Sequence, residues 1–195
     1  RVAESSFNAI TVDGDTSTND TFLAFSSGPK LDPRYLSILE EGLHLTAQYL
    51  AKAIARDGEG ANCLLEIEVE GAPSDTDAHA IARTIASSSL VKTAVHGSDP
   101  NWGRIIAALG RAGTPFNLND VKLCIGPYEI FANGTPKDFD RQIVRNFMKA
   151  RLKGEYLIDD LVNIRLTIGN GKGSATAWGC DLSDQYVRIN ADYTT

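Results

Sequence analysis

The sequence contains few cysteines, and none of them forms a CxxC pair. The chain has three cysteines, at wide spacing: Cys63, Cys124 and Cys180. The closely paired thiols of a zinc or redox motif are therefore missing. This usage is typical of a reducing compartment. We expect the cytoplasm, or the mitochondrial matrix or a plastid if the source is eukaryotic.

Long apolar runs are also missing. No stretch approaches the ~18 apolar residues that a membrane span requires, and residues 1–16 contain no apolar core of a signal peptide. We therefore expect a soluble protein that does not bind a membrane. A start at Arg1 rather than at Met suggests that upstream sequence has been removed.

An excess of positive charge is absent. The chain has 19 Lys and Arg against 25 Asp and Glu, a net charge of −6, and its positive residues are scattered. Nucleic acid is therefore excluded as the main partner, because neutralising phosphates needs a basic stripe. Apolar residues make up 43% and charged residues 23% of the 195, which is ordinary for a globular protein of one or two domains.

Hydrophobic periodicity and turn residues divide the chain into helices and strands. The predicted helices are 33–56, 74–86, 101–109 and 137–153. The predicted strands are 9–12, 21–25, 65–69, 90–95, 121–125, 129–131, 164–168 and 175–178. We expect the last two strands to pair as a hairpin across the glycine-rich turn at 169–173.

Two of these elements have a clear apolar pattern. The strand at 65–69 alternates apolar residues with glutamates, which predicts one face in water. The first helix follows the cap Asp32-Pro33 and has one apolar stripe at spacings of three and four. The stripe consists of Leu36, Leu39, Leu43, Ala47, Leu50 and Ile54.

Helices mixed with amphipathic strands predict an α+β fold, with layered helices and mixed or antiparallel sheets. A doubly wound parallel sheet is the less favoured alternative. Thr114-Pro115 follows two glycines and is the expected boundary between two domains. These are a layered domain at 1–114 and a smaller α+β domain at 115–195.

The acidic stretch Asp13 to Asp20 is the first candidate site. Asp13 and Asp15 follow a predicted strand and could hold Mg²⁺ or act as nucleophile and acid, as in haloalkanoate-dehalogenase-type phosphatases. Those enzymes have Thr or Val at the fifth position of the motif, where this chain has Ser17. A hydrogen-bonded turn of Asx and Thr side chains is the favoured interpretation.

Three further motifs each allow a functional and a structural interpretation. Glu59 in Arg56 to Ala61 could pair with a substrate amine or simply follow a helix C-cap. Asp99 to Arg104 opens a helix whose amides could attract an anion, or it is a well-capped helix with a packed Trp. Gly169 to Ser174 lacks the order of a phosphate loop. His44, His79 and His96 have no metal-ligand spacing, and we predict no metal site.

Taken together, these segments resemble the β chain of the ornithine acetyltransferase family, also called bifunctional glutamate N-acetyltransferase. The matching segments are Ser6 to Thr21, Arg56 to Ala61, Asp99 to Arg104, Ala177 to Asp181 and Asn190 to Thr195. They occur in order over essentially the whole chain. The resemblance implies N-terminal-nucleophile-like αββα layers and a C-terminal tail that returns to the active site.

The resemblance also implies an activity in arginine biosynthesis. A precursor cuts itself before a threonine, which takes acetyl from N2-acetylornithine and passes it to glutamate through an acetyl-threonine intermediate. That threonine should precede Arg1, so we predict no catalytic nucleophile in this chain. Glu59, Asn190 and Thr195 match the family's substrate-binding positions. Asn62 is a departure, because the family more often has Thr there.

The partners implied are an α chain from the same precursor, in an α2β2 heterotetramer, and the two amino-acid substrates. No cofactor is expected, although acetyl-CoA can be a substrate if the enzyme is bifunctional. Two alternatives remain open at this point. One is the Mg²⁺-dependent phosphatase that uses Asp13 and Asp15, and the other is a non-catalytic binding subunit.

Overall fold

A computed structural model describes residues 2–192 of the chain. The helices are α1 (Leu36–Arg56), α2 (Asp75–Ala86), α3 (Ser89–His96), α4 (Trp102–Gly110), α5 (Arg141–Arg151) and α6 (Asp184–Asp192). The strands are β1 (Leu64–Ala72), β2 (Lys122–Ile125), β3 (Tyr128–Ala132), β4 (Thr135–Pro136), β5 (Leu161–Thr167) and β6 (Gly173–Cys180). In this range no helix has both the length and the apolar character needed to cross a bilayer.

The six strands form one mixed sheet in the order β4-β3-β2-β5-β1-β6. β1 pairs parallel with β5 and antiparallel with β6, and the other neighbours are antiparallel. The predicted α+β class with a mixed sheet is confirmed. Both parts of the predicted division, 1–114 and 115–195, contribute strands to this sheet, and the division itself stays a prediction.

Helices cover both faces of the sheet around β1. On one face Leu65 and Ile67 pack with Ile81 and Ile85 of α2 in the main core. On the other face α1 contacts β1 and β6, and its Ala55 packs with Leu64 and Trp178. The small side chains on this face of α1 leave room for the larger Leu64 and Trp178 side chains of the sheet.

The apolar stripe of α1 is largely uncovered. The buried residues of α1 are the alanines at 47, 51 and 55, and only the first of these belongs to the stripe, whose large members are exposed. Leu36, Leu39, Leu43, Leu50 and Ile54 are each between 44% and 53% exposed. A contiguous apolar surface of this size is typical of an interaction site.

β1 has only part of the water-exposed face that its alternating sequence predicts, because Glu70 is exposed whereas Glu66 is only 8% exposed. The Trp178 indole N–H donates to one carboxylate oxygen of Glu66 at 2.7 Å, and the Asn163 amide donates to the other at 3.0 Å. Lys52 of α1 lies 3.4 Å from the same carboxylate. These partners replace the water that a buried carboxylate loses, so the residue can occupy an interior strand.

The predicted hairpin of β5 and β6 is wrong, because β1 lies between them. The glycine-rich turn crosses the end of β1 instead. The Gly171 N–H donates to the carbonyl of Gly71 at 3.0 Å, and a Cβ at Gly171 would meet the carbonyl oxygen of Ala72 at 1.9 Å. The glycines therefore serve close backbone approach rather than a two-strand turn.

Three predicted strands are wrong as well. Residues 90–95 belong to α3, which Ser88 caps by accepting from the Val91 N–H. The β-branched residues there suggested a strand, but Val91 and Val95 share one buried helix face. Residues 9–12 contribute a single bridge, from Ile10 to Trp178, and 21–25 form no strand. The remaining predicted helices and strands are confirmed by α1, α2, α4, α5 and by β1, β2, β3, β5, β6.

Candidate functional site

Three segments meet at one end of β1 and β6: the loop 57–62 after α1, residues 12–15, and residues 180–186 after β6. A Cβ on Gly58 would lie 2.7 Å from the Cys180 sulfur and 3.0 Å from a methyl group of Val12. The Ser183 hydroxyl donates to the carbonyl of Gly60 at 2.7 Å. The loop 57–62, which we call the Glu59 loop, therefore lies close to both neighbours, with no room for a side chain at Gly58.

The structure brings two of the three predicted substrate-binding residues together. The amide of Asn190, on α6, donates to a carboxylate oxygen of Glu59 at 2.7 Å, and both side chains are in an exposed setting. Thr195 lies outside the described residues. The assignment of Glu59, Asn190 and Thr195 to substrate binding stays a prediction.

The segment Asn190 to Thr195, which the resemblance assigns to a C-terminal tail, begins within a helix, because α6 extends to Asp192. It packs tightly against the Glu59 loop at Gly60, which has a φ of +69°. A Cβ at Gly60 would lie 2.5 Å from the Gln185 Cβ and 2.9 Å from the backbone nitrogen of Tyr186. The loop and the helix can therefore approach this closely only with glycine at this position.

Negative charge surrounds Tyr186. Burial, followed by the carboxylates of Asp13, Glu59 and Asp15, raises the pKa of the Tyr186 hydroxyl. Three carboxylates therefore act on one half-buried group of the site. The negative potential from these carboxylates favours binding of a cationic amine over binding of a ligand carboxylate at this position.

A buried carboxylate lies beneath the Glu59 loop. Asp181 has a side chain that is 0% exposed. It accepts from the backbone N–H groups of Asn62 and Cys63 at 2.7 and 3.0 Å, and from the Asn62 amide at 2.9 Å. Nδ1 of His96 lies 2.8 Å from the same carboxylate. Four donors thus surround one charged group.

An ion pair supports the other side of the loop. The guanidinium of Arg56 pairs with the carboxylate of Asp160, and it donates to the carbonyls of Ala61 and Asn62 at 3.1 and 2.9 Å. The Arg56 and Asp160 side chains are 15% and 1% exposed. This pair joins the end of α1 to the start of β5 and fixes the loop between them.

Sequence reasoning missed the two polar residues that α3 contributes. Lys92 is 3% exposed; its ammonium group donates to the carbonyl of Val12 and lies 3.8 Å from the Cys180 sulfur. Lys92 and His96 are four residues apart, so a helix places both on one face, whereas the predicted strand offered no such reason. Burial raises the pKa of the Cys180 thiol, which keeps it in the poorly nucleophilic protonated form at neutral pH.

The acidic stretch at 13–20 is a turn. The Asp15 N–H donates to the Asp13 carboxylate at 2.9 Å, and the Asp20 N–H donates to the Ser17 hydroxyl at 3.1 Å. Within residues 2–192, no cluster of three or more His, Cys, Asp or Glu side chains is placed to hold a metal ion. The turn interpretation is confirmed, and the phosphatase alternative is not supported.

The motif at 99–104 is a capped helix start. The Asn101 side chain accepts from the Arg104 N–H at 3.1 Å, and the Trp102 ring stacks on Phe131 at 5.4 Å. Asp99 pairs with Arg141 of α5 at 3.1 Å. The structural interpretation of this motif is therefore confirmed.

Comparisons with known proteins give a consistent result. The family model described as "ArgJ family" matches residues 1–195. The chain is 89% identical to the arginine biosynthesis bifunctional protein ArgJ of Prochlorococcus marinus strain NATL2A and 61% identical to that of strain MIT 9313. Each match covers 100% of this chain and 46% of the relative. The chain thus spans about half the length of these curated relatives.

A solved structure has the same fold. The crystal structure of the arginine biosynthesis bifunctional protein ArgJ from Bacillus halodurans matches with a TM-score of 0.90 and 41% sequence identity. The match covers 98% of this chain and 89% of the solved chain.

Proposed function

The chain belongs to the ArgJ family, and we propose that it is the β-chain part of an acetyltransferase of arginine biosynthesis. The enzyme moves acetyl from N2-acetylornithine to glutamate through an acetyl-threonine intermediate. The observation that carries the proposal for this chain is the pairing of Glu59 with Asn190 at 2.7 Å. Together with the nearby acidic groups, it offers a carboxylate and an amide to a substrate that carries an amine and a carboxylate.

The nucleophile belongs to a segment that precedes residue 1. Its threonine hydroxyl attacks the acetyl carbonyl, and the bond to the α-nitrogen of ornithine breaks as that nitrogen takes a proton. The acetyl ester then reacts with the amine of glutamate and frees the hydroxyl. The role of this chain is to bind the amino acids: Glu59 pairs with the free amine of acetylornithine, and Asn190 and Thr195 bind the polar amino-acid portion.

The uncovered stripe of α1 supports a partner. Five of its large side chains are about half exposed, and isolated monomers rarely leave a contiguous apolar surface of this kind in water. The chain also matches 46% of the length of a curated relative but 89% of the length of one chain in a solved ArgJ structure, which fits a precursor that is divided into two chains. We propose that an α chain from the same precursor covers the stripe, in an α2β2 heterotetramer, and supplies the oxyanion donors.

Further assignments are part of the same proposal. We propose no resident cofactor, and acetyl-CoA as a second acetyl donor, because the relatives are named bifunctional. We propose neither nucleic acid nor membrane as a partner. The three cysteines are free, which fits a reducing compartment such as the cytoplasm.

Intact mass spectrometry of the complete protein tests the activity. After exposure to acetylornithine without glutamate, one polypeptide should gain a single acetyl group, because the first half of a two-step transfer then has no acceptor. Glutamate should remove the acetyl group and yield N-acetylglutamate. A protein that binds its partner chain but never becomes acetylated would instead support the non-catalytic subunit.

Changing Glu59 to Ala tests the site. We expect the KM for acetylornithine to rise ~10-fold with a smaller change in kcat, because a charge-assisted hydrogen bond to the substrate amine is lost. Steady-state kinetics of the complete protein measures both constants. Glu70→Ala, at an exposed position of β1, is the matched control and should leave them unchanged. An unchanged KM in the Glu59 variant would remove this residue from the site.

A further inference from the structure

We propose that Asp181 is a positioning residue that holds the Glu59 loop in register with α6 and thereby sets the affinity for the amine-bearing acetyl donor. This inference rests on the proposed function of Glu59. It concerns a residue that does not itself contact the substrate. It also assigns Asn62 and His96 to the same task, as the side chains that hold Asp181.

The hydrogen bonds of Asp181 use its full acceptor capacity. One carboxylate oxygen accepts from the two backbone N–H groups at 62 and 63, and the other accepts from the Asn62 amide and from His96. A carboxylate has about four lone-pair sites, and all four are occupied while the side chain is fully buried. Rotating or shifting this group would therefore leave a buried donor unpaired, which is strongly unfavourable.

The position of Asp181 in the chain makes it a link between two parts of the site. It is fixed to the end of the Glu59 loop, Ser183 follows two residues later, and α6 begins at Asp184. Ser183 donates to Gly60, beside Glu59, and α6 presents Asn190 to Glu59 itself. Asp181 thus connects the Glu59 loop, which carries Glu59, to α6, which carries Asn190. A change at Asp181 is therefore expected to move Asn190 relative to Glu59.

The Asp181→Asn variant removes the charge and turns one acceptor into a donor. One oxygen can still accept from the backbone N–H groups, but the new NH₂ group then faces the donors at Asn62 and His96. We expect the KM for acetylornithine to rise ~10-fold, with kcat changed less than ~3-fold and the KM for glutamate changed less than ~3-fold. The steady-state kinetics are measured on the complete protein.

A double-mutant cycle separates positioning from general destabilisation. If Asp181 acts through Glu59, then Asp181→Asn should raise the KM for acetylornithine by less than ~2-fold in the Glu59→Ala background. A full ~10-fold effect in that background would overturn the proposal. The double variant Asn62→Asp with Asp181→Asn exchanges the carboxylate and the amide across the same contact, and it should recover most of the lost affinity.

Hydrogen exchange provides a readout that does not depend on activity. In Asp181→Asn, a peptide spanning the Glu59 loop through Cys63 should exchange faster, whereas a peptide from α2 should not. Unchanged exchange in the loop would overturn the positioning role even if acetyl transfer itself were never detected. Conversely, if the loop exchanges faster in the variant but the protein shows no acetyl transfer, the positioning role of Asp181 is retained and the proposed function is rejected.

Asp140→Asn is the matched control for both experiments. Asp140 also accepts from two backbone N–H groups, at the start of α5, and Asn caps helices about as well as Asp. Its kinetics and loop exchange should match those of the unchanged protein.

Discussion

Replacing Asp160 with Asn should lower the free energy of unfolding of the complete protein by about 3–5 kcal/mol, because one charge of a buried ion pair is left without its partner. The guanidinium of Arg56 stays in place, since it still donates to the carbonyls of Ala61 and Asn62. Its counter-charge is lost at a position where the Asp160 side chain is only 1% exposed. Urea denaturation followed by circular dichroism measures the change.

An exposed ion pair is the control for this prediction. Glu129 of β3 pairs with Lys122 of β2 at 2.9 Å, and both side chains are substantially exposed. Glu129→Gln should change stability by less than the error of the measurement, because water screens such pairs. Equal effects of Asp160→Asn and Glu129→Gln would show that the buried pair does not support the fold as described.

Replacing Gly60 with Ala should lower the free energy of unfolding by about 2–4 kcal/mol. Two effects add up at this position. An L residue is strained at a φ of +69°, and the new Cβ would lie 2.5 Å from the Gln185 Cβ. Since the backbone of α6 is part of the obstruction, we expect α6 to move and the pairing of Glu59 with Asn190 to be lost. Denaturation and the KM for acetylornithine measure the two consequences.

Gly28→Ala isolates the backbone effect. Gly28 has a φ of +113°, but a Cβ there would meet nothing within 4 Å. The substitution should therefore show only the conformational penalty of about 1–2 kcal/mol and no change in KM. If Gly60→Ala and Gly28→Ala behaved alike, the close approach of α6 to the Glu59 loop would be contradicted.

The elements that the sequence predicts correctly are those whose signal is local. α2 and α4 begin at side-chain caps, α1 follows a short turn that Asp32 caps, and β1 has an alternating pattern. α3 was missed because eight residues with two valines fit either period, and only the surrounding core decides between them. The partner of β5 could not be predicted either, since pairing across the sheet is not encoded in a short turn.

The site divides in the same way. Glu59 and Asn190 were selected through the family resemblance, and the structure places them in contact. Asp181 was part of a matching segment but had no role, because its donors at Asn62 and His96 lie 119 and 85 residues away. Partners at this separation have no sequence pattern that a single chain can reveal.

The position of β1 between β5 and β6 has a consequence for biosynthesis. The strand is translated first among the six, yet Leu64 pairs with Leu161 on one edge and with Cys180 on the other. On the ribosome both edges of β1 therefore stay open until nearly the whole segment has emerged. Open strand edges are templates for aggregation, so the nascent chain has its most vulnerable stage before β6 leaves the exit tunnel.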